Sequence, residues 1–234
     1  MFDTHYGLTA AAKCGTKTAT RCVINEFLDI PDGKHEFLVS YCQNGKLTVE
    51  LMENDNDTVF AKSRFSIGEI VALAESYSST YRKYKNEAKI VCRKEEMLRK
   101  EHIAEMFKRE HILEKGWDNK LFVRPEEMLY TLTITDIEFH RLQDIDDNDC
   151  LKEGIYQCED GRFVYHNSRE SYETPKEAFA SLIDVVTKKG TWKRNPYCFV
   201  YYFTCKKNDF SYPYGTKNLR NEQTFPPIQF LQKI

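Results

Sequence analysis

The chain has 234 residues, which is enough for one large domain or two small domains with an ample core. Hydrophobic residues make up 41% of the chain and aromatic residues 13%, as is typical of a folded globular protein. Because the formal net charge is only −2, the chain lacks the strongly basic composition of a dedicated nucleic-acid binder, and an anionic ligand would need a local patch of cations.

The sequence carries no visible targeting or metal-binding signal. Its N-terminus has no apolar stretch of the kind found in signal peptides, and no apolar run reaches the length of a membrane span. The eight cysteines contain no Cys-x-x-Cys pair, and His102 and His111 have no neighbouring partner ligands. We therefore predict a cytoplasmic protein with reduced cysteines, no membrane contact, no metal site and no cofactor.

A short helix is predicted near the N-terminus, over residues 6–14. Gly15 follows where a helix end calls for a left-handed residue. The run from Gly15 to Arg21 then combines one glycine, one lysine, three threonines and one arginine without apolar periodicity. It is interpreted either as a solvated loop or as a turn that presents Lys17 for chemistry.

Strands are predicted in the next part of the chain. Residues 37–42 and 47–51 are β-prone runs separated by Asn44 and Gly45, a strong signal for a hairpin. Residues 67–73 are predicted to form a buried strand, and its polar continuation brings Tyr77 to a position where it could face a pocket.

A charged helix is predicted over residues 93–115, with Gly116 as its stop. Its many charges indicate a solvated face. Trp117 and Arg124 flank a short apolar run directly after it. This pair is interpreted either as a base-stacking surface or as an aromatic cap on the core.

The second half of the chain alternates strands and helices. Residues 131–135 alternate polar and apolar side chains, which predicts a half-buried strand. The acidic run 146–149 offers an N-cap and first-turn carboxylates for a short helix that carries Glu153 and ends at Gly154.

The clearest helix begins at Thr174, which forms a capping box with Glu177, and it ends at Gly190. An aromatic strand is predicted over residues 197–204, and the chain becomes polar after it. The predicted helix has an apolar stripe on its buried face, formed by Phe179, Leu182, Ile183 and Val186.

Four segments of the chain stand in the order of a known family's motifs, namely the Gly-x-Lys run 15–21, residues 67–71, residues 134–155 and residues 195–201. Together they resemble the ASCH family of the PUA-like superfamily. The family's arginine usually lies five residues after the lysine of the motif, a position held here by Cys22, and Arg21 comes one residue earlier.

The resemblance implies an α+β protein with the PUA-like fold, a mixed β-barrel with helices packed outside. It implies one domain over residues 1–205. Compact family members have no room for the charged helix, so a helical insertion is expected at about 78–116. Residues 206–234 form a C-terminal tail outside the resemblance.

Some compact family members are amidohydrolases that remove the acyl group of N4-acetylcytidine, and others bind RNA or nucleotides. Carried over by position, the catalytic candidates are Lys17, Thr20 and Glu153. A threonine nucleophile needs a neighbouring base, and a lysine serves as one only when its amine is neutral, which a second cation such as Arg21 would favour. Since residues three apart share a face in a helical turn but not in a flat strand, this mechanism requires a turned conformation.

The alternative is binding without catalysis, in a cleft around the same three residues that takes RNA or a modified nucleoside. Lys17 and Arg21 would then hold phosphate, and a protein-interaction module is a further alternative. In either case we expect Glu153 within a few ångströms of Lys17. Further ligand-binding candidates are predicted along the chain, namely Gly15, Thr18, Arg21, Tyr77, Trp117 and Arg124.

Overall fold

A computed structural model describes residues 6–24, 36–54 and 57–208. Within these ranges the chain is an α+β protein with antiparallel sheets and six α-helices, which confirms the predicted class. The described residues divide into two compact units, one from residues 6–75 and 123–208 and the other from residues 76–122. The predicted domain boundaries stay predictions.

All the strands in the described ranges belong to the first unit. They are β1 Ala19–Val23, β2 Glu36–Gln43, β3 Lys46–Asn54, β4 Asp57–Lys62, β5 Ile70–Ala72, β6 Tyr130–Arg141, β7 Tyr156–Gln157, β8 Phe163–Val164 and β9 Tyr197–Lys207. A four-stranded sheet has the order β1-β9-β6-β5, a second sheet has the order β2-β3-β4, and β7 pairs with β8. Every described pair is antiparallel.

Four helices belong to the first unit and two to the second. The first unit contains α1 Leu8–Cys14, α4 Asp147–Lys152, α5 Pro175–Val186 and α6 Thr191–Arg194. The second contains α2 Tyr77–Lys89 and α3 Lys94–His111. None of the helices in the described ranges is long and apolar enough to cross a membrane.

Two apolar clusters lie on opposite faces of the four-stranded sheet, because alternate residues of β9 point to opposite sides. Phe199 and Tyr201 join one cluster, which also contains Val49 of β3, while Cys198 and Val200 join the other. The second cluster includes α5 residues from the predicted stripe, namely Phe179, Leu182 and Ile183.

Local sequence signals predicted several of these elements correctly. Gly15 ends α1 with a φ of 80°, in the left-handed region that glycine tolerates. Thr174 and Glu177 form the predicted capping box of α5. Asn44 and Gly45 both have positive φ and join β2 to β3, as the two-residue hairpin signal indicates.

Other predictions need correction. The strand predicted over residues 67–73 is only the three-residue β5, because Gly68 adopts a φ of 84° in a turn before it. The residues after β5 form α2, because the Ser76 side chain accepts a hydrogen bond from Ser79 N–H and caps a helix there. Helix α2 lies in the range of the expected helical insertion, but it begins where the sequence predicts the polar end of a strand. Tyr77 is therefore a helix residue and not the end of a strand.

The described strands form separate sheets and do not close into a barrel. Strands β4 and β5 do not pair, because the chain between them turns at residues 63–69. In this turn isolated backbone bonds replace a ladder, with Ile67 N–H donating to Gly45 O at 2.7 Å and Gly68 N–H donating to Ile134 O at 2.8 Å.

Candidate functional site

The motif turn between α1 and β1 is fixed by backbone hydrogen bonds on both sides. Lys17 N–H donates to Ala11 O at 3.0 Å, and Thr18 N–H donates to Lys152 O at 2.9 Å. Thr18 O in turn accepts from Phe203 N–H of β9 at 2.9 Å. The turn is thus joined to α1, to the end of α4 and to the central strand.

Lys17 lies in direct contact with Glu153, as predicted. Its Nζ is 2.6 Å from Glu153 Oε2 and 3.0 Å from Glu153 O, across 136 residues of sequence. A third bond runs to Ala19 O at 2.8 Å. Three oxygens around one nitrogen match the three N–H donors of a protonated ammonium, and Lys17 is only 2% exposed.

Arg21 adds a second buried cation to the same carboxylate. Its Nη1 donates to Glu153 Oε1 at 3.1 Å, and its Nη2 donates to Asp149 Oδ2 at 2.9 Å. Burial alone would lower the pKa of Arg21, but the charge of Glu153 and the bond to Asp149 outweigh it and raise that pKa. Glu153 therefore bridges two cations, and Arg21 bridges two carboxylates.

Helix α4 presents both carboxylates to the motif turn. Asp146 caps the helix by accepting from Asp149 N–H at 2.7 Å, and Glu153 is its C-cap residue. Residues four apart share a helix face, so Asp149 and Glu153 point the same way. Gly154 follows with a φ of 100°, which turns the chain away after Glu153.

The hydrogen bonds around Lys17, Arg21 and Glu153 continue through Asp149 to the surface. Asp149 accepts from Lys152 Nζ at 2.8 Å and from Tyr202 Oη at 3.3 Å. The single Tyr202 hydroxyl proton is shared between Asp149 and Glu138 Oε2, which lies 2.9 Å from Tyr202 Oη and 2.8 Å from His140 Nε2. Sequence reasoning missed these residues, although the four-residue spacing before Glu153 and the alternation along β6 and β9 are signals that lead to them.

Thr20 does not have the turned conformation that a nucleophile activated by Lys17 requires. It lies within β1, where Ala19 and Arg21 are buried on one face and Thr20 points to the opposite one. The chain is extended at Thr20 because β1 pairs with β9, with Thr20 opposite Tyr201.

The other predicted ligand-binding residues are dispersed. Gly15 is exposed at the end of α1, and Arg124 is 52% exposed on its side chain and bonded to Glu127 Oε1 at 2.7 Å. In the second unit, Tyr77 is fully buried and stacks on His111 with centroids 4.2 Å apart. Trp117 packs against Tyr81 at 5.8 Å, and Ser78 N–H donates to its carbonyl at 2.8 Å. Tyr77 is thus a core residue and not a pocket residue.

Among the described residues, no cluster of histidine, cysteine, aspartate and glutamate could hold a metal ion. The cysteines in these ranges are all free thiols. Burial raises the pKa of the Cys150 and Cys198 thiols to about 12, so both stay protonated near neutral pH. Neither is a candidate thiolate nucleophile.

Asp149 gives the network a pH dependence that can be measured. Burial alone would raise its pKa, but hydrogen bonds from Lys152 and Arg21 outweigh burial and hold the pKa below its ordinary value. The stabilisation is therefore present above the unfolded-state pKa of about 4 and is lost as pH falls through the lower folded-state value. We expect urea midpoints of the wild type to fall in this acidic interval.

In Asp149→Asn, the midpoint should be lower at neutral pH and should change less with acid. Asp147→Asn, at an exposed position of the same helix, serves as the control, and its urea midpoint should change with pH as that of the wild type does. If the urea midpoint of Asp149→Asn fell with acid as steeply as that of the wild type, Asp149 would not contribute to the pH dependence of stability.

Comparisons of the chain with protein-family models, curated proteins and solved structures found no match. The resemblance to the ASCH family therefore depends on the motif residues quoted above. The function of the site is argued from its geometry.

Proposed function

We propose that this chain is a PUA-like protein of the ASCH type that binds RNA or a modified nucleoside beside the Lys17–Glu153 pair. The observation that carries the proposal is the 2.6 Å bond between these two residues. Both residues lie in segments that resemble the ASCH motifs, and 136 residues separate them in the chain.

The shared core supports the PUA-like part of the proposal. Val49 of β3 and Ala61 of β4 belong to the same buried cluster as Ile134 and Phe199 of the four-stranded sheet. The two sheets thus cover one apolar interior, as the walls of a PUA-like fold would, although no ladder joins them in the described residues.

Binding agrees with the geometry better than hydrolysis does. The three oxygens around Lys17 Nζ favour the charged ammonium, which has no lone pair to accept a proton. Thr20 faces away from the buried side of β1. A lysine base beside a threonine nucleophile therefore does not describe the site as it stands.

In this proposal Lys17 and Arg21 hold the turn and helix α4 in place and do not contact the ligand, because both side chains are buried away from a phosphate group. The contact surface is the outer end of the network. Lys152 is 45% exposed on its side chain, and its Nζ lies 5.4 Å from the Tyr202 ring centroid. A cation beside an aromatic ring suits a phosphate and a stacked base.

A salt titration with single-stranded RNA tests the proposal. Lys152→Ala should make the slope of log affinity against log salt shallower by about 0.7, the contribution of one phosphate contact on a single strand. Lys193→Ala, an exposed lysine of α6, is the matched control and should leave the slope unchanged. Equal slopes for wild type and Lys152→Ala would refute the assigned contact surface.

Hydrolysis of an N4-acylcytidine amide is the second candidate, favoured by one observation. Lys17 Nζ lies 2.6 Å from Glu153 Oε2, so two of the three catalytic candidates that the resemblance implies are in direct contact. Purified protein would then release free acid from N4-acylated cytidine, and Lys17→Ala would lower the rate by orders of magnitude. No acid release together with no RNA binding would overturn both candidates and favour a protein-interaction module.

A further inference from the structure

A pocket of about 350 Å³ lies in the first unit, and its lining includes none of the residues Lys17, Arg21, Asp149 and Glu153. Its size is within the range of small-molecule sites, which starts at roughly 300 Å³. Its lining includes Tyr6, Tyr165, Arg169, Glu170, Tyr172 and Ser181.

Three tyrosine rings form the walls of this tyrosine pocket. Tyr6 meets Tyr165 edge to face, with centroids 5.9 Å apart and planes at 72°. Tyr165 and Tyr172 are nearly parallel, at 18° and 6.5 Å. Tyrosine rings at two different orientations favour a ligand with a planar apolar ring, because that ring can pack on the face of one tyrosine and against the edge of another.

The hydroxyl groups of Tyr165, Tyr172 and Ser181 leave one donor for an outside acceptor. Tyr172 Oη donates to Ser181 Oγ at 2.7 Å, and Ser181 Oγ is 3.2 Å from Tyr165 Oη. Three hydroxyls carry three protons, and these two bonds use two of them. The third proton remains available whichever way the Ser181–Tyr165 bond runs, so the pocket offers a donor to a ligand oxygen or nitrogen.

The rim of the pocket carries one charge of each sign. Arg169 and Glu170 are both exposed, and neither side chain is bonded to another group among the described residues. A ligand with only a phosphate would lie beside the Glu170 carboxylate, and one with only an ammonium would lie beside the Arg169 guanidinium. A zwitterion satisfies both groups.

We propose that the tyrosine pocket binds a small zwitterion with a planar ring, of the class of a free aromatic amino acid. The ring lies against the tyrosines, a ring substituent accepts the remaining hydroxyl proton, the α-carboxylate pairs with Arg169 and the α-ammonium with Glu170. The inference does not depend on the proposed RNA or nucleoside function, because it uses different residues.

Three probes that share one phenol ring test the charge assignment by calorimetry or ligand-observed NMR. L-tyrosine carries both charges, 3-(4-hydroxyphenyl)propionate carries only the carboxylate, and tyramine carries only the ammonium. We expect L-tyrosine to bind more tightly than either by about 2- to 5-fold, the effect of an exposed ion pair. L-phenylalanine should bind more weakly than L-tyrosine because it lacks an acceptor on the ring.

Two rim variants should separate the probes. Arg169→Gln should weaken L-tyrosine and the propionate but not tyramine, whereas Glu170→Gln should weaken L-tyrosine and tyramine but not the propionate. Val185→Trp places a large side chain at an exposed position of the lining and should abolish binding. Lys188→Gln, exposed and outside the lining, is the control.

The proposal is overturned if L-tyrosine shows no binding up to its solubility limit, or if Val185→Trp binds it as well as the wild type does. It is also overturned if the three phenol probes bind equally, since the rim charges would then have no role. A nucleoside monophosphate that binds more tightly than L-tyrosine would assign the pocket to a different class of ligand.

Discussion

Glu153→Gln is expected to lower the free energy of unfolding by about 3–5 kcal/mol, as is common when one partner of a buried ion pair is removed. The change keeps the shape of the side chain but leaves Lys17 and Arg21 buried beside a neutral amide. The measurement is the midpoint of urea unfolding at neutral pH, followed by circular dichroism.

Lys152→Ala is the matched control, because Lys152 precedes Glu153 in the chain and bonds to Asp149 at the surface. Exposed pairs of this kind contribute about 0–1 kcal/mol. Adding Lys17→Met to Glu153→Gln should restore part of the lost stability, because it removes one of the uncompensated charges. If Glu153→Gln costs no more than Lys152→Ala, the pair does not stabilise the fold.

Phe179→Ala is expected to cost about 3–5 kcal/mol through the cavity that it leaves. Phe179 is buried in α5, within the cluster that packs on the sheet face of Val200, and its ring meets Trp192 edge to face at 6.1 Å. The expected result is a lower urea midpoint together with a changed emission of Trp192.

Val185→Ala in the same helix is the control for Phe179→Ala. Val185 is 47% exposed, so its loss should change stability by less than about 0.5 kcal/mol. Comparable midpoints for the two variants would mean that α5 does not pack as described.

Local signals were sufficient for the elements with strong terminal residues. Helix α5 has a proline start and a capping box, and α1 ends at a glycine, so the start of α5 and the end of α1 follow from the sequence. The predicted end of α5 at Gly190 is wrong, because α5 ends at Val186 and Gly190 precedes α6. Helix α2 could not be delimited from the sequence, because Tyr77–Lys89 contains no leucine, isoleucine, valine, phenylalanine or methionine to mark its buried face. Its buried face becomes apparent only through its packing with α3.

The sequence predicts only part of the site, because the rest depends on contacts between residues far apart in the chain. The Lys17–Glu153 contact could be expected from the motif resemblance, since no local pattern joins residues so far apart. The conformation at Thr20 could not, because it is fixed by pairing with Tyr201 of β9. Asp149 was read only as a first-turn carboxylate, and its bond to Arg21 depends on where α4 lies in the fold.

The position of β9 between β1 and β6 has a consequence for synthesis on the ribosome. Strand β1 pairs with residues roughly 180 positions later, so at about 5–20 residues per second it stays without its partner for roughly 10–40 s. During that time an edge with unpaired backbone groups is exposed to other nascent chains. A stop codon upstream of Tyr197 would make that exposure permanent, so truncated products should aggregate or be captured by chaperones.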